Sequence, residues 1–404
     1  MIRVLSILHG NTYGGPHNRN AQVAPVLEEL QGIKTLILVP EEPGNAAERL
    51  RGQGLRVVQL QIPRLRARIS PSFHWQFIAG FRRTVLALER LLVEEKIDLV
   101  QINGVSNPHG AIAARKLGVP IVWQILDTFP PPLFLTLIMP YVRRSAGAVM
   151  CTGRRVAAAH PGITSLGERL VFFHPPVNTE RFHQDAKMRN AARKELGIAG
   201  QAEVVGTIAN LNPQKGHRTF IRAAARLRNS RSDVRFVILG RRYEAHQQYY
   251  DSMLKDAVQL GLRLEQDLII RDPGLRVAEL AQAFDIFWMT PEPRSEGIPT
   301  VIEEAMALGL PVVATDVGSI SEIVFDRQTG FLVPTHAVSV IAQRTLEILE
   351  NAELRRVMSK RARAYAESHF QVRLCAEAHL RAFRIALDRS SKGHHCHELS
   401  KRAS

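Results

Sequence analysis

The chain has 404 residues, 45% of them hydrophobic, which is too long for one ordinary core and fits two α/β domains. A formal net charge of +15 leaves three partner classes: nucleic acid, an anionic membrane surface, or an anionic small substrate. No zinc finger, RNA-recognition motif or comparable module is present, which argues against nucleic acid.

In chain order, residues 3–8 read as a first strand, with an apolar run too short for a signal peptide. Asn11-Thr12-Tyr13-Gly14-Gly15-Pro16-His17-Asn18 follows. The paired Gly14 and Gly15 let backbone amides approach a phosphate or sugar closely, although a plain tight turn accounts for the same residues. The loop is not a Gly-x-Gly-x-x-Gly fingerprint, which weakens a dehydrogenase reading. Further strands are expected at 34–39, 57–60, 99–102, 121–124, 148–150 and 170–173, with helices such as 74–95 and 109–117 between them.

Two stretches mix arginines with apolar groups. Arg64, Arg66 and Arg68 precede Phe73, Trp75, Phe77 and Phe81, then Arg82 and Arg83; Arg143 and Arg144 follow Phe134, Leu135, Leu137, Ile138 and Met139. Such mixtures suit a lipid headgroup layer. Equally, they describe core helices that keep their arginines in water. The longest apolar stretch, 133–142, is interrupted by Thr136 and Pro140 and cannot cross a bilayer. The three cysteines, Cys151, Cys375 and Cys396, lack metal-ligand or redox spacing and suit a reducing cytoplasm.

His174-Pro175-Pro176-Val177-Asn178-Thr179 breaks the rhythm as a linker, and strands resume at 203–208, 234–239, 267–270, 285–289, 311–314 and 331–333. The alternation of strand and helix argues for parallel sheets in two doubly wound domains with a cleft between them. We therefore expect an N-terminal domain at 1–174 and a C-terminal domain at 175–370. A helix at 371–388 is expected to pack back on the first domain, and 389–404 to form a disordered basic tail. His394-His395-Cys396-His397 in that tail has metal-binding residue types, but nothing upstream completes a site, so no metal is expected.

The most informative segment runs from Ser295-Glu296-Gly297-Ile298-Pro299-Thr300 through Glu303-Glu304-Ala305-Met306. Pro299 falls where a helix should start. The amides of Gly297, Ile298 and Thr300 then gather at a helix N-terminus, a favourable place for a diphosphate. Val301, Ile302, Ala305 and Leu308 form the apolar face, so Glu303 should point to water while Glu304 lies on the flank beside Thr300. Taken alone, both glutamates also read as solvated surface carboxylates.

This segment resembles the donor-site signature of family 4 retaining glycosyltransferases of the GT-B fold, in which two glutamates are separated by seven residues, here Glu296 and Glu304. The resemblance continues through 312–319, 322–324 and 330–333. It implies an α/β GT-B architecture, two Rossmann-like domains with an interdomain cleft. It also implies that Glu296 holds donor-sugar hydroxyls and Glu304 the ribose hydroxyls of a UDP- or GDP-sugar. The strand, turn and helix start at 204–217 agree, since Lys215 on a rigid turn can neutralise a leaving diphosphate. In similar enzymes an arginine five positions earlier assists; here Asn210 stands there and brings no charge. The histidine that similar enzymes often carry after the strand at 121–124 aligns with Leu126, which leaves Asp127 as the polar candidate. His109 reads as a structural cap.

The implied reaction is retaining transfer of a sugar to a hydroxyl of a glycan or lipid-linked acceptor in cell-surface polysaccharide or glycolipid synthesis. It would run in the cytoplasm or on the inner membrane face, without a metal cofactor. The rivals are a catalytically inactive GT-B subunit and another GT-B enzyme such as a sugar-nucleotide epimerase. A retaining glycosidase needs carboxylates about 5 Å apart, too close for residues separated mostly by helix.

Overall fold

The structure, a computed structural model, describes residues 1–62 and 71–402, with side chains described outside 71–79 and 392–402. Arg64, Arg66, Arg68, Phe73, Trp75, Phe77 and the His394 to His397 run therefore fall outside the described side chains. The chain separates into two compact units. Unit 1 comprises Met1–Leu126, Pro130–Pro176 and Val372–Ser404; unit 2 comprises Asp127–Phe129 and Val177–Gln371.

Unit 1 is built on β1 (Arg3–Ile7), β2 (Lys34–Pro40), β3 (Arg56–Leu60), β4 (Leu99–Asn103), β5 (Ile121–Ile125), β6 (Ala148–Cys151) and β7 (Leu170–Phe172). They form one sheet in the order β3-β2-β1-β4-β5-β6-β7, and every neighbouring pair is parallel. Strands β4, β5 and β6 are buried along their whole length, the mark of a sheet covered on both faces. The helices are α1 (Gly15–Gln31), α2 (Ala46–Gly52), α3 (Pro71–Glu94), α4 (His109–Lys116), α5 (Pro132–Ser145) and α6 (Arg154–Ala158).

Unit 2 repeats the plan with β8 (Glu203–Ile208), β9 (Val234–Leu239), β10 (Leu268–Arg271), β11 (Ile286–Met289), β12 (Val312–Thr315) and β13 (Gly330–Val333). Its parallel order is β10-β9-β8-β11-β12-β13. The helices are α7 (Ala186–Glu195), α8 (His217–Ser230), α9 (Gln247–Gln259), α10 (Val277–Ala281), α11 (Thr300–Ala307), α12 (Val338–Glu350) and α13 (Ala352–His369). Each strand expected from the sequence is present, displaced by no more than one residue at either end. In each sheet the order reverses beside one strand, β1 in unit 1 and β8 in unit 2. Loops at the carboxyl ends of strands around such a reversal are where ligands bind in open α/β sheets.

The last helix, α14 (Val372–Arg402), belongs to unit 1. Ala376, Leu380, Phe383 and Ala386 join a core with Val4, Leu27, Leu99, Val122 and Phe173. The approach is close enough that a Cβ on Gly147, just before β6, would come within 2.8 Å of the Ala386 Cα. His379 contacts the Gln124 side chain at 2.9 Å and the Cys375 carbonyl at 2.7 Å. The helix continues to Arg402 through residues whose composition suggests a disordered tail. Ser390, Ser391 and Gly393 are weak helix formers, but without a proline nothing there blocks the next hydrogen bond.

Four of the buried histidines are expected to make the fold acid-sensitive. Burial holds His17, His109 and His217 down to about 4, and His379 down to about 3. Between these values and the ordinary 6.5, the unfolded chain binds protons that the native chain refuses, so stability falls as pH is lowered through that window. Three of the four lie in unit 1. Melting temperature should therefore drop from pH 6.5 to 4. His109→Phe, whose ring sits 4.4 Å from that of Phe81, should flatten the drop if burial of this neutral imidazole contributes to it.

Candidate functional site

After β8 the chain turns at Asn212, whose Oδ1 accepts the Gln214 amide at 3.0 Å. Pro213 to Lys215 form a single 3-10 turn, and Gly216 closes it with φ +64°. A side chain on Gly216 would overlap the Thr290 carbonyl oxygen at the end of β11. Thr290 Oγ1 also donates to the Gly216 carbonyl at 3.2 Å, and the Glu292 amide to the Gln214 carbonyl at 2.9 Å. Together these contacts pin the turn after β8 to the loop after β11.

Lys215 leaves this pinned turn to place Nζ 2.5 Å from Glu296 Oε1. Glu296 is buried, while Lys215 keeps about a quarter of its side chain exposed (27%). A buried carboxylate of this kind is tolerable because the ammonium compensates its charge. The backbone of Glu296 is fixed as well. Gly318, at φ +58°, lies so close that a Cβ there would overlap the Glu296 carbonyl, and the Ser319 amide donates to the Gly297 carbonyl at 3.0 Å.

Helix α11 begins at Thr300, with Pro299 as its N-cap rather than its first helical residue. Gly297 and Ile298 are buried just before it, and Thr300 is half-buried. Glu304 is half-buried too; burial pushes its carboxyl up to about 8, opposed by the charge of Arg181. The expectation for Glu303 fails. It is fully buried instead of facing water, because α13 covers that side of α11. Burial, then the charges of Glu303 and Glu322, push the phenol of Tyr365 on α13 upward. A single helix read in isolation assigns that face to solvent; the later helix reverses the assignment.

The remaining candidates are spread out. The Asn210 carbonyl accepts the Asn212 amide at 2.9 Å, which places the residue at the start of the Lys215 turn. Asp127 groups with unit 2, where its Oδ1 accepts the Phe129 amide at 3.0 Å, and neighbouring Thr128 donates to the Glu296 carbonyl at 3.4 Å. His109 is not a cap: it is the first residue of α4, after Pro108, and its buried ring packs on Phe81.

Gly14 and Gly15 lie in unit 1 at the start of α1. Gly14 is in extended backbone, and a Cβ there would meet nothing within 4 Å, so the fold itself does not demand glycine at this position. The loop is held by residues the sequence does not single out. The Asn11 amide donates to Glu42 Oε1 at 3.1 Å, Asn11 Oδ1 accepts the Ala47 amide at 2.9 Å, and the Tyr13 amide donates to Asn45 Oδ1 at 3.1 Å. Their partners lie more than 30 residues away, beyond any local pattern. Among the described residues no cluster of His, Cys, Asp or Glu could hold a metal ion.

Two family models account for the two halves of the chain: a glycosyl transferase 4-like domain at residues 14–175 and glycosyl transferases group 1 at 188–365. A D-inositol 3-phosphate glycosyltransferase of Nocardia farcinica is 31% identical over 49% of this chain and 44% of its own length. A GDP-mannose-dependent monoacylated alpha-(1-6)-phosphatidylinositol monomannoside mannosyltransferase of Corynebacterium glutamicum is 29% identical over 53% of this chain and 56% of its own. The chain thus spans about half the length of these curated relatives. Anabaena HepE, solved with UDP-glucose, superposes with a TM-score of 0.78 at 20% identity, covering 97% of this chain and all of that one (100%). With the two family models matched in order along the chain and a parallel sheet in each unit, the chain belongs to the family 4, group 1 glycosyltransferases and has the GT-B fold.

Proposed function

We propose that the chain is a retaining glycosyltransferase that moves a sugar from a nucleoside-diphosphate sugar to a hydroxyl of a glycan or lipid-linked acceptor. The observation that carries this reading is the Lys215–Glu296 pair, held on two mutually braced loops at the carboxyl ends of β8 and β11. A cation fixed on a rigid turn stabilises the charge that grows on a departing diphosphate, and does so most in the transition state. Glu296 then accepts from sugar hydroxyls, Glu304 engages the ribose, and the amides of Gly297, Ile298 and Thr300 face the phosphates. Asn210 adds a neutral hydrogen bond, and Gly14 and Gly15 leave open backbone for a ligand group. Asp127 retains one carboxylate oxygen beyond its turn for a sugar hydroxyl.

The acceptor hydroxyl arrives from the leaving-group face and gives its proton to the departing phosphate, so neither a separate base nor a metal cofactor is required. Relatives named for D-inositol 3-phosphate and phosphatidylinositol monomannoside support an acceptor that carries phosphate, and UDP-glucose and GDP-mannose in the comparisons support the donor class. We place the reaction in the cytoplasm, at the site of cell-surface glycolipid or polysaccharide assembly.

The test is thermal shift with UDP- and GDP-sugars, followed by NMR of the product anomer. A panel in which no nucleotide sugar stabilises the protein, or a product of inverted configuration, overturns the reading. Glu304→Ala should weaken nucleotide binding by roughly 10-fold through loss of the ribose acceptor. Glu303→Ala should instead lower the melting temperature, since it removes a fully buried side chain under α13.

A further inference from the structure

Helix α5 buries Leu135, Met139 and Val142 against unit 1. Its opposite face is apolar as well. Leu133 and Leu137, one turn apart, are each 74% exposed, more than any other leucine among the described residues, and Thr136 and Pro140 lie exposed beside them. No acidic residue occurs between Asp127 and Glu168. The helix ends in exposed Arg143 and Arg144.

Two further elements bring cations to the same end. Arg169, just before β7, donates to the Arg143 carbonyl at 3.2 Å and the Ala146 carbonyl at 3.3 Å. Burial lowers the affinity of its guanidinium for the proton, and the charges of Arg389 on α14 and Arg143 lower it further. Among the described residues none of Arg143, Arg144, Arg169 and Arg389 takes part in an ion pair. Glu168 and Asp388, the chain neighbours of Arg169 and Arg389, form no ion pair with them among the described residues, and like charges gathered without a paired carboxylate repel unless an external anion lies among them.

We propose that the outer face of α5, with the arginines at its C-terminal end, docks unit 1 on an anionic lipid bilayer. A leucine stripe alone fits any apolar partner, and an arginine cluster alone fits any anion. Leucines leading along one helix into a three-element cation cluster fit a surface whose phosphates overlie hydrocarbon. From Leu133 to Arg144 the helix rises about 16 Å, enough to lie in the interface plane with both leucines below the headgroups. This surface is independent of the donor site, so its failure leaves the glycosyltransferase reading untouched.

The experiment is co-sedimentation of the full chain with vesicles of phosphatidylcholine alone and of phosphatidylcholine with phosphatidylglycerol. Binding to the anionic vesicles alone, falling steeply with salt, is expected. Leu133→Ser with Leu137→Ser should lower partitioning on the order of 100-fold. Arg143→Gln with Arg389→Gln, which leaves the carbonyl bonds of Arg169 in place, should lower it about 20-fold and weaken the salt dependence. Unchanged circular dichroism and nucleotide thermal shift establish that the variants fold. Equal binding to both vesicle types, or no effect of the leucine pair, overturns the proposal. So does a dimer in solution that the leucine pair dissolves, which would make this face a contact between copies.

Discussion

Lys215→Ala is expected to lower turnover by about 100-fold or more while changing donor affinity much less, because its charge acts mainly on the diphosphate as it departs. The variant also strips buried Glu296 of its only ion-pair partner among the described residues, and an uncompensated buried carboxylate is destabilising in its own right. Lys215→Ala with Glu296→Gln separates the two effects: it should recover stability without recovering turnover. Glu296→Gln alone releases the ammonium from its present partner, so UDP or GDP should bind at least as tightly while turnover falls with loss of the sugar contact. Steady-state kinetics and nucleotide titration on the three variants check the scheme. Near-normal turnover by Lys215→Ala would place the diphosphate elsewhere. Asn210→Arg, by adding a second cation at the start of the same turn, should raise turnover in the wild-type background if its side chain reaches the phosphates.

Gly216→Ala should be the most damaging single methyl in unit 2. The backbone there is left-handed, and the added Cβ would overlap the Thr290 carbonyl, a backbone atom that cannot swing aside. Left-handed strain and forced backbone movement together should cost roughly 3 to 5 kcal/mol. The loss should appear as a lower urea midpoint, together with loss of nucleotide binding as the Lys215 turn detaches from the β11 loop. Gly14→Ala is the contrasting case. With extended backbone and open space around its Cβ, stability should change by less than about 1 kcal/mol. A large loss of activity in that variant would then come from a ligand that needs the space. An unchanged midpoint for Gly216→Ala would contradict the bracing described for the two loops.

The sheet framework was legible because strands buried on both faces read as short runs of Val, Ile and Leu, such as Val234 to Leu239, closed by polar turns. Lys215 and Glu296 were legible only through a resemblance to a family pattern. Their contact spans 81 residues, and no local periodicity encodes it. Glu303 was misread because periodicity locates the inner face of a helix against its sheet but carries no information about a later helix, here α13, covering the outer one. Glu42 and Asn45, the distant partners of that loop, went unnoticed for a related reason: polar residues in loops look alike until the fold brings two loops together. Arg169 and Arg389 were invisible as a pair because they come from different elements far apart in the chain.

The return of α14 to unit 1 bears on the order in which the protein can be made. Apart from three residues, unit 2 is a continuous insertion of nearly 200 residues between Pro176 and Val372. At about 5 to 20 residues per second, roughly 10 to 40 s separate synthesis of β7 from that of α14. Throughout that interval Val4, Leu27, Leu99, Val122 and Phe173 lack Ala376, Leu380, Phe383 and Ala386, the side chains that complete their core. Unit 2 meanwhile has all but three of its residues in one stretch and can close first. The earliest-made half of the chain is therefore the last to be finished, and it is the half that waits with an uncovered apolar face on the ribosome.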